Sequence, residues 1–160
     1  MKEEFEVKSE EVLKIIENYR DKLDITRFYL KFDDTYDKRY ILRIIFKCDY
    51  KRYNYENIDD GEITVDFTKE KNIIKLGNWV SRVSNSGLVF NSLSKIKLMI
   101  EMIEKLQKIE YMKLPEFKEY VALKDKQKEL EEQKEKLEKE LAKQKEEIEN
   151  KLKELRKEEK

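Results

Sequence analysis

The stretch RFYLKFDDTYDKRYILRIIFKC, residues 27–48, decides the fold. Phe28, Leu30 and Phe32 alternate with Arg27, Tyr29 and Lys31, the period-two pattern of a half-buried strand. Asp33-Asp34-Thr35 supplies turn chemistry. A stronger strand follows, with Tyr40, Leu42, Ile44, Phe46 and Cys48 on one face and Arg39, Ile41, Arg43, Ile45 and Lys47 on the other. Two such strands in succession imply an antiparallel sheet with one oily face and one wet face.

Downstream, a polar, Tyr-rich loop runs from Tyr50 to Asp60, and Ile63, Val65 and Phe67 mark a third strand entered at Gly61. Thr68 to Asn72 turns the chain, and Ile73 to Val83 reads as one bent strand or two short ones broken near Gly77. After Asn85-Ser86-Gly87, Leu88 to Phe90 is a further short strand. Upstream, Ser9 with Glu10 and Glu11 reads as a capped helix start, and Val12, Leu13, Ile15, Ile16, Tyr19 and Leu23 form its packing face. Asn91 and Ser92 cap a helix whose broad stripe, Leu93 to Ile109, suits the central core helix. Pro115 holds Leu114 out of helical angles and starts a last helix at its own first position.

That last segment lacks Gly and any further Pro. Leu123, Leu130 and Leu137 recur every seven residues, as do Leu141, Ile148 and Leu155; placed at heptad d and a, they form one narrow seam. Gln127, Lys134, Gln144 and Lys151 interrupt it. Glu132 with Lys136 and Glu149 with Lys153 are among the flanking pairs that support a helix. Self-pairing into a coiled coil and a solvated, self-supporting helix both fit the pattern. The expected architecture is α+β. Residues 1–112 form an antiparallel sheet of four or five strands packed with two helices, and 113–160 a long coiled-coil helix that makes a homodimer through 115–160.

Composition narrows the function. Charged residues are 45% of the chain, yet its formal net charge is zero. Lys and Glu are abundant and Gln scarce, as in proteins of thermophiles, although eight Asn residues pull the other way. There is no histidine and a single cysteine, Cys48, on the oily face of its strand. With no His, no nucleotide-cradling glycine motif and no Cys/His pair, the expectation is a non-enzyme without metal or cofactor. No signal-like start and no long apolar run point to a cytoplasmic protein with no membrane partner.

Charge is sorted along the chain. Residues 38–55 hold six basic side chains and one acid, and 67–100 again six and one, whereas the first 37 residues and 56–66 are net acidic. The wet face of the first two strands therefore interleaves Arg27, Lys31, Arg39, Arg43 and Lys47 with Tyr29, Ile41 and Ile45. Cations that follow phosphates beside rings that stack on bases suit single-stranded nucleic acid. Tyr29, Tyr40, Ile41, Ile45 and Trp79 are the expected base contacts. Arg27, Lys31, Arg39, Arg43, Lys47, Lys51, Arg52, Arg82 and Lys95 are the expected phosphate contacts. Tyr36, Tyr50, Tyr53 and Tyr55 are further candidate stackers. Asn91, Ser92 and Ser94, ahead of Lys95 and Lys97, offer a weaker phosphate site at a helix N-terminus. The same charges also suit an ordinary half-exposed sheet.

A small helix–sheet–helix domain with basic and aromatic residues, ending in a leucine-zipper-like helix, resembles the ThermoDBP-type single-stranded DNA-binding proteins of hyperthermophiles. The resemblance is architectural and carries over no site residue. It implies a nucleic-acid-binding N-terminal domain, with a hydrophobic cleft between basic lips, joined to a dimerising coiled coil. The rival expectation is a protein-interaction module, such as an accessory or virus-encoded regulator docking on a larger protein.

Overall fold

A computed structural model describes residues 3–47, 60–79 and 92–158. The elements run β1 (Glu3–Phe5), α1 (Glu10–Tyr19), β2 (Ile25–Asp33), β3 (Arg39–Lys47), β4 (Asp60–Asp66), β5 (Ile73–Trp79), α2 (Leu93–Gln107), a short 3-10 turn (Tyr111–Lys113) and α3 (Pro115–Glu158). The class is α+β. Its sheet is fully antiparallel, with the strands side by side in chain order from β1 to β5.

Alternation in β2 and β3 sorts the faces as the sequence implies. Phe32, Leu42, Ile44 and Phe46 are wholly buried, as are Ile63 and Val65 of β4. Helical elements close over this face. Phe117 sets its ring 5.3 Å from Phe32 and 5.7 Å from Phe67, and Tyr111 stacks on Phe67 at 4.9 Å. The Arg20 guanidinium, just past α1, lies 5.8 Å from the Phe28 ring.

Four details depart from the sequence reading. The fifth strand is β1, three residues at the N-terminus whose shortness hides any periodicity. β5 passes through Gly77 unbroken, while the expected strand at Leu88–Phe90 lies outside the described residues. α1 ends at Tyr19, and Leu23 is buried in the turn beyond it. Asp24 closes that turn at φ 51°, a left-handed conformation that Asp tolerates better than most residues. Finally, α2 is not a fully covered core helix. Met99, Met102 and Leu106 are buried, but Leu93, Ile96 and Ile100 are exposed.

Ser9 precedes α1, but its hydroxyl makes no cap hydrogen bond. A carboxylate from far along the chain serves that end. Buried Glu116 Oε1 accepts from the backbone N–H groups of Lys8 and Ser9. A carboxylate satisfying two amides locks the entry of α1 to the first turn of α3, and charge-assisted bonds are the strong kind. Glu116→Ala strands both amides and is expected to lower stability by about 2–3 kcal/mol. A urea midpoint within error of the parent would refute that role.

Tyr40 is half-buried on the helix-facing side, and its hydroxyl donates to Asp34. Burial first, and then the bond to Asp34, push this phenol up to about 12. Tyr111 donates to the Leu106 carbonyl at 2.7 Å, and burial, then the charge of Glu11, raise its phenol as well. A tyrosine in an unfolded chain loses its proton near about pH 10. Between that point and the folded value the unfolded chain binds fewer protons, so stability falls as pH rises. Denaturation midpoints at neutral pH and within that alkaline window should differ in this direction. Equal midpoints would contradict it.

The chain divides into two compact units, Met1–Lys118 and Glu119–Lys160. In the second, α3 continues to Glu158, and Leu123, Leu130, Leu137, Leu141, Ile148 and Leu155 are all exposed along it. No described helix is long and apolar enough to cross a membrane.

Candidate nucleic-acid interface

Partners in an antiparallel ladder share a face, so the register builds the wet side row by row. One row runs Glu4, Lys31, Ile41, Asp66, Ile73 from β1 to β5. The next runs Tyr29, Arg43, Thr64, Lys75, and the one after it Arg27, Ile45, Glu62, Gly77. Arg39 lies opposite Asp33 at one end, and Lys47 opposite Asp60 at the other.

The middle of this face is a polar lattice built on Arg43. Arg43 donates to the Tyr29 hydroxyl at 2.8 Å and to Glu62 at 2.7 Å. Thr64 donates to the other Glu62 oxygen at 2.9 Å. The bond to Glu62 is the main cause that raises Arg43 above its ordinary value. Arg27 pairs with Glu4 at 2.5 Å and lies 4.5 Å from the Tyr29 ring, a cation–π distance. Tyr29 is thus held among arginine side chains and is only 5% exposed, and Ile45 beside it is 9% exposed. Arg43 and Glu62 are thus engaged with each other, and the ring of Tyr29 is too enclosed to be presented to a base.

Around the lattice the face opens. Lys31 is half-buried, Arg39 and Lys47 are exposed, and none of the three forms an ion pair among the described residues. Ile41 is half-buried, and Ile73 and the turn residue Tyr36 are exposed. Lys75 lies 3.6 Å from Asp66. Burial pushes the Asp66 carboxyl up, but bonds from the hydroxyl and amide of Thr68, with the charge of Lys75, outweigh it and hold the group below its usual range.

Other expected site residues lie elsewhere. Tyr40 faces the helices, 4.8 Å from the Phe117 ring, because its place in β3 matches that of Leu42. Lys95 is on α2 and pairs with Asp24 at 3.3 Å. At the start of that helix Ser92 accepts from the Ser94 amide, which is ordinary capping. The backbone of Trp79 ends β5 opposite Asp60. Lys51, Arg52 and Arg82 lie outside the described residues, as do Cys48, Tyr50, Tyr53, Tyr55 and Asn91.

Sequence reading missed Glu4 and Glu62, the acids that engage Arg27 and Arg43. Their signal was the acidic character of the segments flanking the basic strands, which strand order in chain sequence turns into spatial neighbours. Among the described residues no cluster of His, Cys, Asp or Glu is placed to hold a metal ion. The chain matches no protein-family model, no curated protein and no solved structure.

Proposed function

We propose that this protein is a non-enzymatic binder of single-stranded nucleic acid with little sequence preference, dimerising through its C-terminal helix. The observation that supports it is that three cations, Lys31, Arg39 and Lys47, form no ion pair among the described residues and share the wet face of the sheet with the arginine–tyrosine lattice. Exposed Tyr36 and Ile73 and half-buried Ile41 lie near one end of that face and offer flat or oily contact to bases. Arg27, Tyr29, Arg43 and Ile45 act in this reading as scaffold. Dimerisation joins two such faces and raises avidity on a long strand.

The test is a fluorescence-anisotropy titration of a labelled single-stranded oligonucleotide at low and moderate salt. Saturable binding that weakens with salt is the expected result. Absence of binding at low salt rejects the reading.

A second reading, a module that docks on a larger protein, has its own support. Leu76 of β5 and Leu93, Ile96 and Ile100 of α2 are large, apolar and exposed, and α2 touches β5. It predicts a protein partner whose capture is lost on Ile100→Glu, with no salt-sensitive oligonucleotide binding.

A further inference from the structure

The seam of the second unit reads alike from both ends. Counted outward from Lys139, each heptad a residue has a heptad d counterpart at equal distance. Leu137 answers Leu141, Leu130 answers Ile148, and Leu123 answers Leu155. The interruptions mirror each other too, Lys134 with Gln144 and Gln127 with Lys151. A parallel pair does not need such a palindrome, because each layer there pairs a residue with itself. An antiparallel pair does, because there a meets d of the other helix.

We propose that α3 pairs antiparallel with α3 of a second copy, centred on Lys139. This inference rests on the dimer reading above and adds the orientation. In that register every apolar layer meets an apolar layer, covering six side chains that are each more than half exposed in the single chain. Each seam lysine meets a glutamine. A parallel pair instead sets Lys134 on Lys134 and Lys151 on Lys151, like charges inside the contact.

The flanks agree in part. Antiparallel pairing brings Lys126 near Glu154 of the second copy, and Glu131 near its Lys145. It also brings Glu138 and Glu140 towards their own counterparts. Glu138 is already compensated on its own helix, where Lys134 Nζ lies 3.8 Å from it. A parallel pair gains as many opposite-charge flanking contacts, Lys126 with Glu131 and Glu140 with Lys145. Exposed flanking pairs contribute little and are screened by salt. The seam therefore decides the orientation. It places the two Glu119 positions about 60 Å apart along the pair, at 1.5 Å per residue.

The test uses the full chain with Cys48→Ser throughout. Leu130→Cys and Ile148→Cys chains are mixed, oxidised and digested, and the linked peptides are identified by mass. A disulfide between positions 130 and 148, formed in the mixture and not in either preparation alone, is the expected result. Links of 130 to 130 and 148 to 148 overturn the orientation while leaving the dimer. Gln127→Glu gives an independent reading by sedimentation equilibrium. It faces Lys151 in the antiparallel pair and should tighten the dimer several-fold. In a parallel pair it faces itself, and a weaker dimer overturns the proposal. A monomeric parent chain overturns both the orientation and the dimer reading, whatever the oligonucleotide titration shows.

Discussion

Phe32→Ala is expected to bring the globular unit close to unfolding. Phe32 is wholly buried among rings that include Phe5 at 4.8 Å, Phe117 at 5.3 Å, Tyr40 at 6.1 Å and Phe67 at 6.2 Å. Those rings come from β1, α3, β3 and the residue just past β4, so a single side chain joins both ends of the unit to the middle of its sheet. Removing a buried phenylalanine ring costs about 3–5 kcal/mol, through lost transfer energy and the cavity left behind. A domain of this size has a total stability of only about 5–15 kcal/mol. Urea denaturation followed by near-ultraviolet dichroism reports on the packed rings and, Tyr120 apart, is silent on the helix of the second unit. Tyr36→Ala serves as the control, because that ring is fully exposed and should leave the midpoint unchanged. A loss below about 1 kcal/mol for Phe32→Ala, within the usual range for mutations, would mean that the ring cluster is not the keystone described.

How far the chain announced this arrangement varies by element. Alternation in β2 and β3 is long enough for period two to stand clear of noise, so the two faces and their core residues were legible. Pro115 fixed the start of α3, and the run behind it without Gly or a second Pro marked its length. β1 was not legible, since three residues carry no period and Glu3–Phe5 precedes a stronger helix signal. The role of Glu116 was hidden for another reason: its partners are amides more than a hundred positions away. For the candidate site, sequence showed which residues share a face but not how the strands beside them would answer. Arg27 and Arg43 looked like free cations because Glu4 and Glu62 belong to other strands, and Tyr29 looked like an open ring because only the register shows arginines on both sides. Tyr40 makes no base contact on the wet face, and its parity with Leu42 in the sequence already puts it on the oily face.

That distinction between engaged and open cations yields the second large effect. Neutralising Lys31, Arg39 and Lys47 together, each to Gln, is expected to weaken oligonucleotide binding strongly and leave the fold intact, since it sets no acid against Glu4, Asp33 or Asp60 across the sheet. Each of these side chains reaches outward from a strand without an ion pair among the described residues, so its replacement strands no carboxylate. If each follows one phosphate, losing three contacts lowers the slope of log affinity against log salt by about 2, with a loss of roughly 100-fold or more at low salt. Arg43→Ala should behave in the opposite way. The Arg43 and Glu62 side chains are 16% and 18% exposed, so the change leaves a carboxylate mostly out of water beside a tyrosine hydroxyl that has lost its donor. Breaking a pair this enclosed costs about 2–3 kcal/mol after allowance for its residual solvation. Arg43→Ala should therefore lower the urea midpoint and keep the parent's salt slope in whatever fraction stays folded. Anisotropy at two salt concentrations, read beside the denaturation curves, separates the two behaviours. Parent-like affinity in the triple variant would remove the wet face of the sheet as the binding surface. A flattened slope in Arg43→Ala with an unchanged midpoint would return that arginine from scaffold to ligand.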